Sequence, residues 1–138
     1  MFGPDRRLRI ANAAYRRMMG EAAARPGESI EELGARRVAS GELTPEMAQA
    51  LIDRHLGPPD EATRPIRRIR PDGTAVVTRA ARLPDGGHLA LVTDITALHR
   101  AEEELRRRAA MLEASLGAMR HGIAIYGPDR KLLAANDQ

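Results

Sequence analysis

At 138 residues the chain has room for one compact domain of ordinary size plus an appendage, with a core that needs neither disulfides nor a structural metal. It holds no Cys, which excludes disulfide scaffolds, thiolate nucleophiles, thiolate zinc sites and iron–sulfur clusters and fits a reducing compartment. A formal charge of +3 beside a pI near 10.1 reflects a bias toward Arg, with Lys131 the single lysine, and only Phe2, Tyr15 and Tyr126 are available to stack on bases as nucleic-acid binders require.

Along the chain, residues 7–11 alternate polar and apolar and read as a half-buried strand with Leu8 and Ile10 inward. Asn12 stops it and serves as a structural cap for a short helix over 13–19, ended by Gly20, with Ala14, Tyr15, Met18 and Met19 facing in. Ser29 and Glu32 form a capping box for a helix over 29–40 whose inner residues are Ile30, Leu33 and Val38. Thr44 caps a third helix, with Pro45 in its first turn and Met47, Leu51 and Ile52 inward, until Gly57-Pro58-Pro59 breaks the pattern.

The texture then changes. Turn signals at Pro71-Asp72-Gly73 and Pro84-Asp85-Gly86-Gly87 separate strands near 63–70, 74–83 and 88–94. Such short turns make the strands antiparallel neighbours. Residues 97–119 form a long helix with Leu98, Leu105, Leu112 and Met119 at heptad spacing and Leu116 between them, a pattern suited to a parallel two-stranded coiled coil. No apolar run reaches the roughly 20 residues of a membrane span, and the N-terminus has no signal-peptide pattern, so the segment is expected to be cytoplasmic without direct membrane insertion.

The chain also repeats itself. Phe2-Gly-Pro-Asp-Arg-Arg-Leu-Arg-Ile-Ala-Asn12 matches Tyr126-Gly-Pro-Asp-Arg-Lys-Leu-Leu-Ala-Ala-Asn136 at a constant offset. Seven of the eleven pairs are identical, which composition alone does not explain. Residues 121–126 supply a strand before the second turn, whereas Met1 and Phe2 are all that stand before the first.

These features resemble the PAS domain family in the variant common in bacterial sensor histidine kinases. The resemblance spans residues 2–105 and rests on the 2–12 motif, Arg25-Pro-Gly-Glu-Ser-Ile30, Ser40-Gly-Glu-Leu43, Leu83-Pro-Asp-Gly-Gly-His88 and, above all, Thr93-Asp-Ile-Thr96 before Ala101-Glu102 and Leu105. It implies an α+β fold: a PAS-like five-stranded antiparallel sheet with helices on one face, followed by a long C-terminal linker helix. The expected organisation is a sensory domain over 1–96, a signalling helix over 97–119 and the first strands of a second such domain over 120–138. Asp94, Ile95 and Thr96 match the motif that couples the last strand to the helix.

The absence of Cys excludes photochemistry by a thiol adduct, and His55, His88, His99 and His121 read as solvated or structural, with His88 at a turn. No phosphate loop, His-Glu-x-x-His or nucleophile elbow occurs, so no catalytic or metal residue is assigned and no cofactor is expected beyond an unidentified small ligand. The leading expectation is a non-catalytic sensory and dimerisation module of a bacterial signal-transduction protein, relaying a change through its helix to an output domain such as a histidine kinase. Its partners would be a second copy, joined along the helix and by strand exchange of residues 122–126, and that output domain. A small-molecule receptor of the same fold is the alternative. A nucleic-acid binder using Arg64, Arg67, Arg68 and Arg70 ranks below both.

Overall fold

The computed structural model describes residues 1–57, 64–118 and 124–135. They fall into two compact units, Met1–Thr96 and Ala97–Gln138.

In the first unit, three capped helices precede an antiparallel meander. Helix α1 (Ala13–Met19) starts where the Asn12 side chain accepts the Tyr15 N–H at 2.8 Å. Helix α2 (Ile30–Ala39) carries the full capping box, with Glu32 N–H donating to Ser29 Oγ at 3.1 Å and Ser29 N–H donating to Glu32 Oε2 at 2.8 Å. Helix α3 (Pro45–Leu56) is capped by Thr44, whose hydroxyl accepts the Met47 N–H. Each cap satisfies backbone donors that a helix start leaves orphaned. A 3-10 turn, Gly20–Ala22, follows α1 directly.

Strands β1 (Ile66–Ile69), β2 (Ala75–Arg82) and β3 (His88–Asp94) form an antiparallel sheet in the order β1-β2-β3. The register pairs Val76 with Asp94 and Ala80 with Ala90, so Val76, Ala80 and Val92 share the face toward the helices. Leu89 and Leu91 point the other way and are exposed. Residues 2 and 8 complete the sheet laterally through single bridges, Phe2 to both Leu8 and His88. The architecture is therefore α+β with helices on one face, with three strands and two bridged residues where the resemblance implies five strands.

The strand expected over 7–11 shrinks accordingly. It is reduced to single bridges, Leu8 to Phe2 on one side and Arg7 to Ser29 on the other, and the Met1 amino group donates to the Ile10 carbonyl beyond them. Leu8 is buried, but Ile10 is 64% exposed. Met47 and Ala14 face inward but stay exposed, because they line a cavity and not a filled core; α3 buries Ala48, Arg54 and His55.

Two clusters make the core. Phe2, Leu8, Ala24, Ile30 and Leu33 form one, while Met19, Ala22 and Ala23 form the other, and Tyr15 packs against both. With Phe2 the only buried aromatic and Ala filling many inner positions, the helices and sheet do not close on each other completely.

The second unit holds most of helix α4 (Thr96–Ala118) and a hairpin of β4 (Ala124–Tyr126) with β5 (Leu132–Ala135). Strand β4 thus pairs within its own unit. Its turn copies the first one. Arg6 N–H donates to the Gly3 carbonyl and Gly3 N–H to the Arg7 carbonyl; Arg130 does the same to Gly127, and Gly127 to Lys131. Both turns place an arginine in the left-handed region, φ 61° at Arg6 and 62° at Arg130. Asn136 lies outside the described residues.

Candidate functional site

Incomplete closure of the first unit leaves a cavity of about 700 Å³ between the helices and the inner face of the sheet. Its walls include Leu8, Met18, Leu33, Leu51, Val92 and Thr78. The size lies within the range of small-molecule pockets, and a mostly apolar wall with a few polar groups is their usual chemistry.

Polar side chains gather in two places, at the cavity wall and just behind it. In the first, Glu42, just beyond α2 and behind the wall, receives Arg68 Nη2 at 2.7 Å and Arg70 Nε at 2.8 Å. Arg70 also donates to the Met18 and Met19 carbonyls, tying the end of α1 to the end of β1. Burial alone would raise the Glu42 carboxyl, but these hydrogen bonds outweigh it and hold the group below its ordinary range. Next to them Arg37 is buried, with Nε on the Ala22 carbonyl at 2.8 Å and Nη2 on the Tyr15 hydroxyl at 3.1 Å. Burial pulls its guanidinium down from the usual arginine value.

In the second, His55 on the wall meets His88 behind it with ring centroids 4.8 Å apart and planes tilted by 50°, and Phe2 meets His55 edge-on at 5.8 Å. His55 Nδ1 faces the Leu51 carbonyl at 2.8 Å. His55 Nε2 and both nitrogens of His88 are buried without a hydrogen-bond partner among the described residues. Burial keeps both imidazoles below the ordinary histidine value, and each neighbouring His88 or His55 ring would oppose a second charge. His88 opens β3 and does not sit in the turn where the sequence placed it. No group of three His, Cys, Asp or Glu among the described residues could hold a metal.

Asp94, Ile95 and Thr96 meet at the mouth of α4. Asp94 Oδ1 accepts both the Thr96 N–H at 2.8 Å and the Thr96 hydroxyl at 2.6 Å. The same hydroxyl oxygen accepts the Ala75 N–H at 3.0 Å, and Ile95 N–H donates to the Ala75 carbonyl at 2.9 Å. The first residue of β2 is thereby locked to the first residue of α4.

A family model described as PAS fold matches residues 1–103. The chain belongs to the PAS fold family. Searches of curated proteins and of solved structures give no match. PAS domains are generally non-catalytic sensory modules.

Along α4, Leu98, Leu105 and Leu112 are all more than half exposed and no residue is buried. Leu116 belongs to the same seam and Met119 lies outside the described residues. Glu103 to Arg106 and Glu104 to Arg108 pair on the helix surface. Among the arginines considered for nucleic acid, Arg68 and Arg70 are turned into Glu42, leaving a smaller basic surface than the sequence suggested.

Sequence reasoning missed Arg37, Glu42 and the His55–His88 pair. A signal existed for the first: Arg37 stands four residues after Leu33 and seven after Ile30, on the buried face of α2. No helix of the described residues is long and apolar enough to cross a membrane.

Proposed function

We propose that the chain is a non-catalytic sensory and dimerisation module of a bacterial signal-transduction protein, passing a change in the PAS unit through α4 to an output domain such as a histidine kinase. The observation that carries this reading is the Ala75–Thr96–Asp94 lock, which makes a displacement of β2 felt at the start of α4. The exposed leucine seam supports parallel pairing of α4 with that of a second copy, since leucines at heptad spacing gain burial only against a partner. The β4–β5 hairpin, with a turn hydrogen-bonded like that of residues 3–7, is read as the opening of a second PAS unit, and strand exchange through residues 122–126 would add to the same dimer; residues 122 and 123 lie outside the described residues. The cysteine-free composition is consistent with the cytoplasm.

Light scattering on the intact chain and on a Leu105→Glu, Leu112→Glu double variant tests the reading. A dimer that the double variant converts to monomer is expected. An intact chain that stays monomeric at high concentration refutes dimerisation through α4.

The cavity favours a second reading of the same unit, a receptor whose ligand sits between helices and sheet.

A further inference from the structure

The cavity wall is chemically one-sided. Arg37, Arg54, His55, Arg67 and Arg68 line it, and among the described residues no Asp or Glu does. Arg68 and Arg70 share the Glu42 carboxylate, and Arg70 also reaches Asp72 at 3.4 Å. Arg37 is buried and feels Glu42 only at a distance, with no carboxylate in hydrogen-bond contact among the described residues, and its Nη1 makes no hydrogen bond among them. A buried guanidinium whose neighbouring carboxylate, Glu42, is already engaged by Arg68 and Arg70 gains from an anion in direct contact.

Tyr15 strengthens the case independently. Its hydroxyl oxygen already accepts the Ala24 N–H at 3.0 Å and Arg37 Nη2 at 3.1 Å. Its own proton has no acceptor among the described residues. Two donor atoms of the cavity-lining residues, Arg37 Nη1 and the Tyr15 hydroxyl, therefore have no acceptor among the described residues, while the surfaces around them are methionine, leucine and isoleucine.

We propose, building on the receptor reading, that the cavity takes a small amphipathic organic anion, its carboxylate on Arg37 and the Tyr15 hydroxyl and its apolar body against Met18, Leu33 and Leu51. A carboxylate there accepts from Arg37 Nη1 and the Tyr15 hydroxyl and puts a counter-charge in direct contact with Arg37. The neutral remainder displaces water from the apolar walls.

Calorimetric titration of the intact protein with decanoate and with decan-1-ol separates charge from apolar burial. Decanoate is expected to bind about ten-fold more tightly or better, the worth of a hydrogen bond to a charged group, and Arg37→Gln to abolish that preference while leaving decanol binding in place. Equal binding of the two by the native protein overturns the anion assignment and leaves the receptor reading standing. A preference that survives in a folded Arg37→Gln overturns the role of Arg37. Binding of neither compound removes the receptor reading and this inference together. The native comparison stands even where Arg37→Gln fails to fold.

Discussion

Replacing Thr96 by Val keeps the shape of the side chain and removes only its hydroxyl. The Ala75 N–H then loses its acceptor, and Ala75 is 2% exposed, so water cannot replace it. An orphaned buried donor costs about 1–3 kcal/mol. The hydroxyl's charge-assisted bond to Asp94 is lost as well, although Asp94 is exposed and recovers part of it from solvent. The sum is about 2–4 kcal/mol, on the order of 10 °C in the melting temperature of a domain this size. Thermal unfolding followed by circular dichroism reads the total, and amide exchange at Ala75 reads its location. Thr96→Ser, which keeps the hydroxyl, should stay within about 1 kcal/mol of the native protein. A Thr96→Val protein with native melting temperature and native protection at Ala75 would show that the lock contributes nothing.

Two further outcomes follow from the site. His55 and His88 both have folded values below the ordinary 6.5, so the unfolded chain binds protons more readily than the folded one. Stability should therefore be complete above about pH 6.5 and fall as the pH drops from there through the lowered folded values; the urea midpoint at pH 7.5 against that at pH 5.5 measures it, and a His55→Gln, His88→Gln variant should lose most of this slope. Gly87 lies where an added Cβ would come 2.5 Å from the Phe2 carbonyl oxygen, a backbone atom in a bridge. Gly87→Ala should cost about 1–3 kcal/mol by overpacking, and an unchanged denaturation midpoint would mean that the Phe2 segment moves aside freely.

Local chemistry was legible wherever one residue acts on its neighbours. Asn12, Ser29 and Thr44 announce their helices because a side-chain oxygen three residues before an orphan N–H can reach it in only one backbone geometry. The two proline–glycine turns set the meander for similar reasons. What stayed hidden depends on groups brought together across the chain: Glu42 and Arg70 are 28 positions apart, and Arg70 reaches Met18 across 52. Periodicity also assigns every charged residue to solvent, so it passed over Arg37. It placed Met47 inside because it presumes a filled core, where this fold keeps a cavity instead.

The sheet has unlike borders. On one side β1 is four residues long, carries Arg67 and Arg68 and follows Pro65, features that discourage a further strand from joining. On the other, Phe2 covers β3 only at His88, and among the described residues no strand lies against Leu89 to Asp94. Growth by strand addition is thus directional. An extended segment added to this sheet would find the open edge on the β3 flank, beside the residues that lead into Asp94 and Thr96. A strand there would stiffen β3 where it meets the Asp94–Thr96 hydrogen bonds at the start of α4.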